Sequence, residues 1–147
     1  MAMVADALNG RSLLLLPQRD RPYCLRGVFE HVVEECRNEL VFDLADCYLL
    51  LRVEEDFDSL GIQFLETEFN PQSGYRSLNS VSPWNRFMGK ECGWTWMGIN
   101  QQGYVDSVML SFAGIIPNIL LHVIASSIKV FSIMPVNEGS ILDANGR

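Results

Sequence analysis

Basic residues are scarce in this chain, and so are the groupings that usually announce chemistry. Eleven Lys and Arg stand against eighteen Asp and Glu, a net charge of −7. Phosphate backbones and anionic bilayers repel such a chain, which argues against nucleic acid and against a membrane surface as partners. The four cysteines, Cys24, Cys36, Cys47 and Cys92, form neither a CxxC pair nor a Cys/His knuckle. A zinc site is therefore not expected, and nothing points to another cofactor. There is no Gly-x-Ser-x-Gly elbow, and Gly89, Gly93, Gly98 and Gly103 do not make a phosphate-cradling loop followed by Lys-Ser/Thr. Those absences remove the usual serine hydrolase and nucleotide-binding signatures. A secretory leader is not expected either, because the apolar run Leu13 to Leu16 is short and lies between Arg11 and Pro17. The cysteines accordingly read as reduced core residues of a cytoplasmic protein. Acids near Cys36 and Cys47 work against a reactive thiolate.

A second absence concerns charge in one long segment. From Ser107 to Ile128 there is no Asp, Glu, Lys or Arg, close to the length of a bilayer span. Pro117-Asn118 interrupts it, His122 and three serines add polarity, and no basic cluster flanks it. Two buried elements joined by a Pro-Asn turn are expected, with Ile115, Ile116, Leu120 and Val123 in the core.

What is present suits one folded domain. The chain has 147 residues, 48% of them hydrophobic and 20% charged, enough for a real core and unlike a disordered segment. Leu40–Leu44, Tyr48–Val53 and Gly61–Leu65 are short apolar runs with polar connections, the pattern of an antiparallel meander. Asn100-Gln101-Gln102-Gly103 separates two further runs, Trp94–Ile99 and Tyr104–Leu110, and its terminal Gly suits a hairpin containing a left-handed position. Ser127–Ile133 suits a strand and Ile119–Ile124 a short packed helix. Val28–Cys36 fits either period, and its β-branched residues favour a strand. The stretch from about 70 to 92 reads as a long loop with at most a helical turn near Trp84 to Met88, and a mobile tail is expected from about 136. The expected fold class is α+β, mainly β: an antiparallel sheet meander with one or two helices packed on it.

Twelve of the eighteen acids fall between Glu30 and Glu68, where Arg37 and Arg52 are the only basic residues. A surface of one sign attracts partners of the other. Glu54, Glu55, Asp56 and Asp58 are the densest group, in a connection that would project them outward. Their spacing does not match a calcium loop. His31 with Glu34 and Glu35 would share a helical face, but the second histidine of a zinc hydrolase helix is missing. His122, in an apolar run, reads as a core residue with one hydrogen bond. Trp94 and Trp96 would point to one face of a strand, either core or, if exposed, an interface anchor.

The segment from Gly93-Trp94-Thr95-Trp96 through Asn100-Gln101-Gln102-Gly103-Tyr104-Val105-Asp106 to Ala125-Ser126-Ser127-Ile128 resembles small uncharacterised bacterial domain families. Some members of that broad group are immunity proteins, which neutralise a toxin made by the same cell. The resemblance covers about a third of the chain and carries no catalytic motif. It agrees with the reading from charge and from the missing catalytic motifs: a non-enzymatic acidic binding protein of the immunity type, which occludes the active site of a basic toxin. Glu54, Glu55, Asp56, Asp58, Trp94 and Trp96 are the expected contact residues. The alternatives are a small hydrolase using paired carboxylates and a structural subunit that packs against a partner or a second copy of itself. On the binding reading, reversing Glu54, Glu55, Asp56 and Asp58 to Lys should chiefly slow association. Raising salt should do the same as the Debye length falls to about 8 Å. Stopped-flow association rates at two ionic strengths check it.

Overall fold

In the computed structural model, residues 15–54, 58–66, 69–71 and 74–136 are described. Among them nine strands form two antiparallel sheets. The first sheet contains β1 (Gly27–Val33), β2 (Cys36–Asp43), β3 (Tyr48–Glu54), β4 (Ser59–Leu65) and β5 (Tyr75–Ser77), in the order β4-β3-β2-β1-β5. The second contains β6 (Cys92–Ile99), β7 (Val105–Phe112), β8 (Ile119–Ile124) and β9 (Ser127–Ser132), in that order. The mainly β architecture expected from the short apolar runs holds, but it is two sheets rather than one meander. The expected helices are not found: among the described residues the only helical element is a 3-10 turn, Trp84–Arg86. It falls within the segment anticipated for a helical turn.

The corrections have local reasons. Ile119–Ile124 is a strand because Ile119, Leu121 and Val123 alternate into the core while Leu120, His122 and Ile124 face out, a period of two. The strand favoured for Val28–Cys36 is found as far as Val33, where β1 ends in a hairpin turn and Cys36 begins β2. Val33 pairs with Cys36, and Glu34 and Glu35 between them take φ of 51° and 66°. Ala125 and Ser126 repeat the device between β8 and β9, with φ of 51° and 61°. Two-residue hairpins of this kind normally use Asn or Gly, which tolerate positive φ. Neither turn carries that signal, so neither is visible in the sequence. Strand β5 lies inside the expected long loop, and the expected tail lies outside the described residues from 137 onward.

The core fills the space between the sheets. Val28, Leu40, Phe42, Leu49, Leu51 and Ile62 of the first sheet face Val108, Leu110, Ile119, Leu121 and Ile128 of the second. β2 approaches β9, and β4 approaches β7. Trp84, 1% exposed, closes one side against Phe42 with ring centroids 5.4 Å apart. The charge-free 107–128 segment supplies β7 and β8, so its apolarity builds one wall of the interior. No helix among the described residues is long and apolar enough to cross a membrane. The chain bends at 113–118, where Asn118 Oδ1 accepts the Phe112 N–H at 2.6 Å. Val123 is in the core as expected, but Ile115 and Ile116 are exposed, 69% and 58%, because this bend lies beyond the sheet.

Two outcomes follow from this packing. Trp84→Ala should lower stability by about 3–5 kcal/mol, since a large indole leaves a cavity between packed sheets. Replacing Glu34-Glu35 by Asn-Gly should raise stability by roughly 1–2 kcal/mol by relieving two left-handed non-glycine residues. Denaturant midpoints at constant m-value measure both.

Candidate partner-binding surface

The register of the second sheet decides where the tryptophans go. A bulge between Cys92 and Trp94 leaves Thr95 and Met97 opposite the inward residues Leu110 and Val108. Trp94 and Trp96 therefore stand on the outer face. Their rings stack at 6.5 Å with an interplanar angle of 20°. Trp96 pairs with Met109, Met109 with Leu120, and Leu120 with Phe131, so one uninterrupted apolar row crosses all four strands. Trp94 is 55% exposed and Phe131 43%. Beside Trp94 its cross-strand partner Ser111 donates to the Gly114 carbonyl, which brings the exposed Ile115–Ile116 loop to the same end of the sheet. Exposed Met134 follows β9 there as well. The next row, Gly98–Ser107–His122–Lys129, is polar and bounds the patch. A contiguous apolar face with a polar border and two indoles is the composition of an interaction surface. Sequence alternation placed Trp94 and Trp96 on one face, but only the bulge determines that this face is outside.

The acidic residues do something else. Glu30 is 1% exposed on the inner face of β1, where it accepts from Arg37 Nε at 2.7 Å and from Arg76. Glu39 is buried on the outer face of β2, accepting from Arg52 Nε and the Tyr75 hydroxyl, each at 2.5 Å. Asp46 holds Arg19 and Arg21, and Asp43 accepts the Ala45 N–H. Asp58 accepts from the backbone N–H and hydroxyl of Ser126, at 2.9 and 3.1 Å, and so fastens the β3–β4 turn to the β8–β9 turn. Glu55 and Asp56 lie outside the described residues. Glu34, Glu35 and Glu66 face solvent, and Glu54 is half-buried. Of the described acids in this stretch, Glu30, Glu39, Asp43, Asp46 and Asp58 are thus bonded within the protein, and Asp58 is a structural fastener. The turn it holds lies roughly 20 Å along the strands from Trp94, counting about seven residues at 3.3 Å each. Among the described residues, Asp58 is not brought together with Trp94 and Trp96.

The groups considered for catalysis separate in the same way. His31 Nδ1 lies 2.9 Å from Asn38 Oδ1 and 4.0 Å from Glu39, while Glu34 and Glu35 form the turn beyond the strand. His122 is half-exposed on the outer face, 3.6 Å from Asp106, and not in the core. Glu30 and Glu39, the two buried carboxylates among the described residues, occupy opposite faces of one sheet and each is neutralised by arginine. Burial, and then the bond to Glu39, push the Tyr75 hydroxyl up to about 12, so it stays a protonated donor. No cluster of three metal-ligating side chains occurs among the described residues.

The cysteines are unpaired. Cys47 and Cys92 are buried as expected, whereas Cys24 and Cys36 are only half-buried. Burial pushes the Cys47 thiol up to about 11 and the Cys92 thiol up to about 12. Both remain neutral thiols at pH 8, and the thiolate is the form that reacts. Brief alkylation of the native protein at pH 8 should therefore label Cys24 and Cys36 and spare Cys47 and Cys92, read by peptide mass spectrometry. A second prediction concerns Asp58→Ala. It removes two hydrogen bonds to Ser126 and should cost about 1–2 kcal/mol, unlike a truly solvated turn acid; thermal denaturation measures it.

Neither a curated protein nor a solved structure matches the chain. A match to a described family runs over residues 24–137, from the isolated bridge between Cys24 and Glu91 to just past β9. That span contains both sheets, the outer apolar face and every structural ion pair around Glu30 and Glu39. The chain thus belongs to the family of unknown function DUF6334.

Proposed function

We propose that this protein is a non-enzymatic binding domain of the immunity type, acting in the cytoplasm, which neutralises a cognate protein by lying over its active site. The outer face of the second sheet is its docking surface, and Trp94, Trp96 and Phe131 are the anchors. The observation that carries this reading is the solvent-facing row Trp96–Met109–Leu120–Phe131, beside the 55% exposed Trp94. Indole and phenyl rings on a rigid sheet lose little conformational freedom on binding, so their burial goes largely into affinity. Four unpaired cysteines agree with a reducing compartment. Glu34, Glu35 and Glu66 at the surface leave negative charge to steer a basic partner, although fewer acids contribute than the sequence suggests.

The test is capture from the native cell with full-length protein, followed by kinetics on the captured partner. Trp94→Ala should leave stability within about 1 kcal/mol of the parent, because the ring is more than half in water. It should raise the dissociation rate about tenfold or more, as removal of an interface anchor does. Equal dissociation rates for the parent and for Trp94→Ala and Phe131→Ala would overturn the docking face. Inhibition of the captured partner's activity distinguishes an immunity role from a purely structural contact.

A further inference from the structure

Although the chain carries only eleven Lys and Arg, three of them line one cleft and a fourth stands at its rim. The cleft, about 490 Å³, lies between the loop 78–84 and the edge strand β9, and Arg37, Arg76 and Lys129 line it. Arg86 joins at the rim, its guanidinium 3.5 Å from Ser132 Oγ. Among the described residues no Asp or Glu lines this cleft. Glu30 is bonded to both arginines, one on each oxygen. Two guanidinium groups sharing one carboxylate leave a positive charge uncompensated, and Lys129 and Arg86 add to it. The arrangement is built rather than accidental. Arg37 is fixed by Nε on Glu30 and by a second bond to the Ile128 carbonyl at 2.9 Å. Arg76 is anchored at one nitrogen while its side chain remains 72% exposed. Ser82 and Ser132 supply hydroxyls, and Trp84 with half-exposed Val81 and Phe131 supplies an apolar floor.

We propose that this cleft binds the phosphate group of a small organic phosphate. Converging cations in a partly enclosed groove focus positive potential, and guanidinium forks match the oxygens of an oxyanion. A phosphate dianion presents three oxygens to cations approaching from both walls. A carboxylate presents two and carries half the charge, a role Glu30 already fills from below. The apolar floor takes the rest of the ligand, and the cleft volume suits one small molecule. Nucleic acid does not fit the proposal, because the remainder of this acidic surface repels a polyanion.

The experiment titrates full-length protein with pyrophosphate by calorimetry and by amide NMR. Sodium chloride of matched ionic strength and succinate are the comparison solutes. Pyrophosphate should bind and shift the amides of Ser82, Ser132 and their neighbours. The double variant R86A/K129A should bind it about tenfold more weakly or worse, from the loss of two charge-assisted contacts. Both side chains are exposed, so the amide spectrum of the free variant should stay native-like. Arg26→Ala, an exposed arginine away from the cleft, should bind as the parent does. Unchanged affinity in the double variant, shifts confined to another region, or no binding beyond the chloride effect would overturn the site. Succinate binding as tightly as pyrophosphate would overturn the assignment to phosphate.

Discussion

Glu30 places a carboxylate on the inner face of a sheet whose neighbours there are Val28 and Leu40. A charge in such surroundings is tolerated only when paired and hydrogen-bonded, and both its oxygens are. Arg37 and Arg76 occupy them, and much of the molecule follows from how they reach it. Arg37 also donates to the Ile128 carbonyl, and its backbone N–H donates to Ser127 Oγ at 3.0 Å. The start of β9 is thereby tied to the first sheet through the same residue that neutralises Glu30. Removing Arg37 would leave one oxygen of a buried carboxylate without its partner and take away one of the ties on β9.

The β8–β9 hairpin is held a second time, by Asp58 on Ser126. Two polar fasteners from the first sheet thus converge on one hairpin whose turn residues have unfavourable positive φ. The hydrophobic core brings the sheets together without direction, while these bonds fix how β9 sits. That placement matters for both surfaces described above. Phe131, the end of the apolar row, and Lys129, on the wall of the basic cleft, lie on this strand. An apolar face and a cationic groove therefore share one edge, and they meet at Phe131.

Charge in this protein has a different meaning in space from its meaning along the chain. A run of acids looked like a belt for attracting a cation, yet Glu30, Glu39, Asp43, Asp46 and Asp58 bond to groups of the protein itself. Apart from Asp43, which bonds to nearby Ala45, each takes a partner distant in sequence: Arg76, Tyr75, Arg19 and Ser126. The converse holds for the cations, where Arg37, Arg76 and Lys129, scattered along the chain, line one cleft with Arg86 at its rim.

Strand periodicity, the Gly103 hairpin, the interior role of the charge-free segment and the shared face of Trp94 and Trp96 were legible in the sequence. Each depends on neighbours within a few residues, where alternation and turn chemistry act. The division into two sheets, the strand at Ile119–Ile124 and the hairpins at Glu34-Glu35 and Ala125-Ser126 were not, because no local residue marks them. Which face of β6 meets water was decided by a one-residue bulge at Gly93, since a shift of one residue exchanges the two faces of a strand. Composition along the chain set the net charge, but only the tertiary structure decided which charges meet, because an ion pair is formed by distance in space.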